Sequence, residues 1–133
     1  MAGDRVYLGE EMSGRKYLGK QIQQAVTELD LISWVGGKTI ITLNITEGTS
    51  HCPQTNQPDF WEMKIEYEPI GHIVETKSLK LFMWQFRDRK VFNEVLVDEI
   101  CSAFFKAISP KWIRVYGKFA IRGGIFIEAI REI

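Results

Sequence analysis

The stretch Phe60-Trp61-Glu62-Met63-Lys64-Ile65-Glu66-Tyr67-Glu68 alternates without a break: Trp61, Met63, Ile65 and Tyr67 are apolar or aromatic, and Glu62, Lys64, Glu66 and Glu68 are charged. A period of two is the period of a strand with one face buried and the other wet. Pro69 and Gly71 end it. Such a strand needs neighbours on its edges and a layer over its apolar face, and the flanking chain offers both. Upstream, residues 39–46 are rich in β-branched side chains and read as a strand after a turn at Gly36-Gly37. Downstream the period changes. Leu79, Phe82, Met83 and Phe86 fall at helical spacing within residues 77–86. A longer helix is expected over 88–108, with Phe92, Val95, Leu96, Ile100, Ala103, Phe104, Ala107 and Ile108 as its apolar stripe and Pro110 as its stop. Residues 112–119 alternate again, Arg122-Gly123-Gly124 is a turn, and 125–130 is a last strand. The order ββααββ predicts an α+β fold, an antiparallel sheet carrying two helices on one face. Its two open edges are a hazard that assembly with further copies into a barrel would remove.

Composition narrows the class. A chain of 133 residues reads as one domain, 1–133. With 45% hydrophobic and 26% charged residues it belongs among globular chains. Lys plus Arg equal Asp plus Glu at 17 each, which argues against a general nucleic-acid binder and suits self-association. Two cysteines make no disulfide framework, so a reducing cytoplasm is the expected setting. Residues 1–20 carry Gly3, Gly9, Gly14 and Gly19 among charges, the pattern of an irregular arm, without the apolar centre of a signal peptide. Residues 21–32 fit either a short helix or a second irregular piece. No run is long enough to span a bilayer.

The chemistry concentrates in Ser50-His51-Cys52-Pro53-Gln54-Thr55-Asn56-Gln57-Pro58-Asp59-Phe60. Its two prolines remove backbone donors, so it reads as a shaped loop between strands. Cys52 and Asp59 sit seven positions apart on it, a nucleophile and a proton source able to face one small ligand. Thr76 or Ser78 is expected to cap the first helix, where Lys77 and Lys80 share a face. Two ammonium groups beside a helix start suit a phosphate, although a solvated basic face has the same pattern. Glu94, at the start of the long helix, complements the helix dipole or accepts paired N–H bonds from a guanine-like ring. His51, His72, Cys52 and Cys101 match no zinc spacing, and no metal is expected.

Together these segments resemble the NADPH-dependent 7-cyano-7-deazaguanine reductases, single-module nitrile reductases of queuosine biosynthesis and a tRNA-modification pathway. The likeness rests on Cys52-Pro53-Gln54-Thr55-Asn56-Gln57-Pro58-Asp59-Phe60, on Val74-Glu75-Thr76-Lys77-Ser78-Leu79-Lys80-Leu81-Phe82, on Phe92-Asn93-Glu94, and on Tyr116-Gly117-Lys118-Phe119 with Arg122-Gly123-Gly124. Leu18-Gly19-Lys20-Gln21 adds a weaker match, and the likeness spans roughly residues 17–130.

The resemblance implies a tunnelling fold (T-fold) that forms barrels with active sites at subunit boundaries, and a cytoplasmic homo-oligomer, a decamer of two stacked pentamers. It implies that Cys52 attacks the nitrile carbon to give a thioimide while Asp59 donates protons. Glu94 would hold the deazaguanine, with Val74, Glu75, Thr76 and Asn93 lining the same pocket. Lys77, Ser78, Lys80, Arg122, Gly123 and Gly124 would meet the phosphates of NADPH. Asn93 departs from the family, which normally has His there; a carboxamide hydrogen-bonds but does not shuttle a proton. Thr76 stands where Ser or Leu is usual, and Ile121 where Pro is common.

Two other functions compete. One is the amidine-forming reaction of archaeosine synthesis, in which ammonia resolves the thioimide on deazaguanine already in tRNA; the Asn93 departure leans that way, and the near-intact 75–80 segment leans against it. The other is a non-catalytic binder of a purine-like base, which would keep Glu94 but not require Cys52.

Overall fold

The structure, a computed structural model, describes residues 16, 17 and 19–133. The expected arm at residues 1–20 therefore lies mostly outside the described residues. In chain order the elements are β1 (Leu31–Ser33), β2 (Ile41–His51), β3 (Pro58–Glu68), β4 (His72–Val74), α1 (Thr76–Trp84), α2 (Asn93–Ile108), β5 (Trp112–Phe119) and β6 (Glu128–Glu132). Strands β2-β3-β5-β6 form one antiparallel sheet in that order, and β1 pairs with β4 in a second, two-stranded sheet. The α+β class and the two helices agree with the sequence reading.

The alternation of β3 does what its period requires. Asp59, Trp61, Met63, Ile65 and Tyr67 are buried on one face, and Pro58, Phe60, Glu62 and Lys64 are exposed on the other. On β5 the buried set is Ile113, Val115, Gly117 and Phe119. Helix α2 packs on β5 and β6 through Leu96, Val97, Ile100, Cys101, Phe104 and Ile108. Gly117 admits Val97, whose Cγ2 would lie 2.7 Å from a Cβ built there. Phe82 of α1 meets Phe104 edge-on at 5.7 Å, which joins the helices in one core.

Several boundaries moved for physical reasons. Strand β2 runs on to His51, and the irregular stretch shrinks to residues 52–57, because Ser50 and His51 pair with Asp59 and Pro58 across the hairpin. Helix α2 starts at Asn93 rather than 88. The end of α1 tightens into i→i+3 turns, with Arg87 N donating to Trp84 O and Arg89 N to Phe86 O, and Lys90 then bridges to His51. Phe92 and Val95 are consequently exposed, while Val97 and Cys101 join the buried stripe. The cap of α1 is Glu75, not Thr76 or Ser78: its carboxylate accepts from Lys77 N at 2.6 Å and Ser78 N at 3.0 Å. Residues 21–30 form no helix. Gly123 and Gly124, with φ of 59° and 79°, make the tight turn after β5, closed by the Arg122–Ile125 bridge. Regular pairing in β6 begins only at Glu128.

A bulge in β2 separates the pairs Ile45–Met63 and Gly48–Trp61. The Trp61 ring lies flat over Gly48, so a Cβ there would stand 2.0 Å from a ring carbon. The indole N–H donates to the fully buried Ser50 hydroxyl at 3.1 Å. Gly48→Ala is expected to lower unfolding stability by about 1–3 kcal/mol, the usual cost of overpacking, as measured by urea denaturation.

Candidate functional site

Hairpin pairing brings Cys52 and Asp59 together. Ser50 faces Asp59 across the ladder and His51 faces Pro58, so Cys52 continues the row of Ser50, two residues on. The six-residue connection is closed by its own backbone: Cys52 N donates to Gln57 O at 3.0 Å, and Asn56 N to Cys52 O at 2.9 Å. Asn56 sits in the left-handed region at φ 57°, a conformation its short polar side chain tolerates.

The thiol is half-buried. Its pKa is held below the ordinary thiol value, first by a hydrogen bond from the Thr55 hydroxyl and then by the backbone N–H groups of Thr55 and Gln54; burial and the nearby charge of Asp59 oppose this. Thr55 and the loop amides are functional groups that sequence reading missed. Their signal was the Thr three residues after Cys in a Pro-bounded loop.

Asp59 is buried, and its Oδ1 receives Arg122 Nη2 at 2.8 Å. Arg122 also donates to the carbonyl of Pro58. The structure thus places Arg122, expected at a phosphate, against the expected proton donor; Gly123 and Gly124 carry it there by folding the β5–β6 connection back, with Ala120 N bonded to Phe60 O at 2.8 Å. His51 anchors the base of the loop. Its backbone donates to Arg89 O at 2.9 Å and accepts from Val91 N at 3.1 Å, and its Nδ1 lies 3.3 Å from Asn56 O.

The anchored segment 89–91 leads directly into Asn93 and Glu94. Glu94 is exposed in the first turn of α2. The Oδ1 of Asn93 is buried without a hydrogen-bond partner among the described residues. An orphaned acceptor of this kind costs about 1–3 kcal/mol until a donor reaches it.

The 74–80 segment divides by exposure. Val74 and Glu75 are buried, Val74 N bonding to the Tyr67 hydroxyl at 3.0 Å and Glu75 capping α1. Ser78, expected at a phosphate, has no exposed surface: its hydroxyl accepts from Asp30 N at 2.9 Å and donates to Glu75 O at 2.8 Å. It holds the helix start against β1 instead of facing outward. Lys77 Nζ donates to the carbonyls of Tyr17, at 3.0 Å, and Lys20. Thr76 and Lys80 are exposed and, with Lys77, line an open groove between α1 and β2. A second, more apolar groove is lined by His51, Pro58, Phe60, Phe119, Ile121 and Phe126, among others. Neither groove is lined by Cys52, Asp59 or Glu94. No cluster of metal-binding side chains occurs among the described residues.

A family model described as QueF-like protein matches residues 58–133. The NADPH-dependent 7-cyano-7-deazaguanine reductase of Anaeromyxobacter sp. (strain Fw109-5) is 47% identical over 85 residues, covering 64% of this chain and 70% of that protein. The enzyme of the same name from Alkalilimnicola ehrlichii is 40% identical over 93 residues, covering 70% of this chain and 72% of its own length. Among solved structures, the archaeosine synthase QueF-Like in its apo form superposes with a TM-score of 0.68 at 24% identity, covering 73% of this chain and 95% of that one. That likeness is one of fold.

The thiol's setting has a direct readout. Alkylation of Cys52 by iodoacetamide is expected to rise with pH through a midpoint below that of an ordinary thiol, about 8.5. Thr55→Val should move the midpoint upward, and an unchanged midpoint would remove Thr55 from the account.

Proposed function

This chain belongs to the QueF-like protein family, and on that footing we propose that it is a nitrile reductase converting 7-cyano-7-deazaguanine to 7-aminomethyl-7-deazaguanine with two NADPH. The observation that carries the reading is Cys52 itself: a thiol biased toward thiolate by Thr55 and loop amides, with a carboxyl group beside it. The Cys52 sulfur adds to the nitrile carbon, one C–N π bond is lost, and the proton given up by the thiol reaches the nitrogen by way of the Asp59 carboxylate, to give a thioimide. Covalent capture divides a hard reduction into smaller steps and keeps a reactive imine from water. Arg122 pairs with the Asp59 carboxylate and fixes its orientation at the loop.

Glu94 holds the deazaguanine by paired N–H bonds, and the unpartnered Oδ1 of Asn93 accepts from a ligand N–H beside it. The residues present fit the cofactor: Lys77 and Lys80 line an open groove that runs along α1, suited to phosphate. NADPH, when bound, supplies a hydride in each of two rounds, taking the carbon from nitrile to amine oxidation level. The sheet ends on β2 and β6, and apart from the bridge at His51 these edges carry no further strand among the described residues, which supports completion by further copies in a barrel-forming homo-oligomer. A second reading, amidine formation with ammonia, draws on Asn93: a carboxamide cannot supply the proton that an imidazole would.

Incubation with 7-cyano-7-deazaguanine should add the mass of the nitrile to the wild-type chain and none to Cys52→Ala. Adduct on the alanine variant, or none on wild type, would sink both enzyme readings. NADPH oxidation with amine formation then selects reduction, and amidine formed with ammonium selects the alternative. Asn93→His is expected to raise the rate of reduction several-fold without changing the rate of adduct formation.

A further inference from the structure

Lys77, Lys80, Trp84 and Arg87 recur at steps of three, four and three along α1 and the tight turns that continue it, so they form one stripe. All four line the groove between α1 and β2. Arg87 also lines the apolar groove beside His51, and the wall of Gly48 and Trp61 is common to both. Arg87 therefore stands where the two grooves meet.

Its guanidinium lies 5.6 Å from the centre of the Trp84 ring, and it forms no ion pair among the described residues, although Glu47 lines both grooves with it. Of the two lysines nearer the start of the helix, Lys77 is tied to two backbone carbonyls and Lys80 is exposed. An exposed guanidinium over an indole and outside any ion pair among the described residues is a fork available to paired phosphate oxygens.

Resting on the nitrile-reductase reading, we propose that Arg87 is a cofactor-binding residue and holds the diphosphate of NADPH, while Lys80 takes its ribose monophosphate. Length and polarity support the assignment. Ten residues of helix-like chain span at most about 15 Å, enough for two separate phosphate loci. Arg87 is at the end of the stripe next to His51, whose backbone is tied to Arg89 at the base of the Cys52 loop. A dinucleotide with its reacting ring toward Cys52 puts its diphosphate at that end and its extra monoester at the other.

The test is equilibrium binding of NADPH and of NADH, followed by nicotinamide fluorescence, to wild type, Arg87→Ala, Arg87→Lys and Lys80→Ala. Arg87→Ala should weaken both nucleotides by the same factor, about tenfold or more for a lost charge-assisted pair, and Arg87→Lys should recover part of it. Lys80→Ala should weaken NADPH alone. Unchanged binding of both nucleotides to Arg87→Ala overturns the proposal, as does a loss confined to NADPH, which would put Arg87 at the monoester. Adduct formation on Cys52, which needs no cofactor, reports separately. A wild-type rate of adduct in Arg87→Ala shows an intact fold, and if that variant does not fold, Arg87→Gln is read by the same criteria. Absence of adduct on wild type removes the nitrile-reductase reading while the binding comparison still judges Arg87; adduct without binding of either nucleotide removes the Arg87 assignment while thiol chemistry stands.

Discussion

Everything near the thiol depends on the pairing of β2 with β3. Strand β3 is hydrogen-bonded on both sides, to β2 and to β5, and its period leaves no freedom to slip by one residue without turning Trp61, Met63, Ile65 and Tyr67 outward. That register sets Ser50 opposite Asp59, and it therefore sets where the chain leaves the sheet and where Cys52 begins. Gly48 and Trp61 lock it from the other direction: the bulge absorbs one extra residue of β2, and only a residue without a Cβ lets the indole lie across it and reach the Ser50 hydroxyl. The position of the nucleophile is thus a by-product of core packing.

The loop uses few side chains for its own shape. Two backbone bonds close it, a left-handed Asn turns it, and the sulfur is served by amides and one hydroxyl. Amides are suited to that duty because they carry no net charge, so they favour a thiolate without adding a cation to neutralise Asp59. The positive charge near Asp59 comes instead from the far hairpin, through Arg122. One compact arrangement therefore draws on β2, β3 and the β5–β6 turn.

Strong periodicity made much of the fold legible. β3 and β5 appeared within two residues of their ends because half-buried strands alternate cleanly, and the Gly123-Gly124 turn appeared because only glycine takes two positive φ values cheaply. The three-residue strands β1 and β4 carried no such signal; they exist through pairing with each other and through the Tyr67 hydroxyl. The start of α2 was misplaced because Asp88-Arg89-Lys90-Val91-Phe92 holds no Pro or Gly that would break a helix, while its actual shape is dictated by distant contacts with His51. At the site, the closeness of Cys52 and Asp59 followed from their place in a hairpin. The burial of Ser78 and the contact of Arg122 with Asp59 did not, since both depend on residues 48 and 63 positions away.

The two hydrogen bonds that flank His51 have a dynamic corollary. Because the amide of Val91 is satisfied by the carbonyl of His51, and that of His51 by Arg89, the segment leading into Asn93 and Glu94 and the segment leading into Cys52 cannot open separately without stranding a backbone group. The elements proposed to grip the base and to attack its cyano group behave as one cooperative unit. Disorder at either would be felt at once by the other, and amide exchange at 51 and 91 would keep common time.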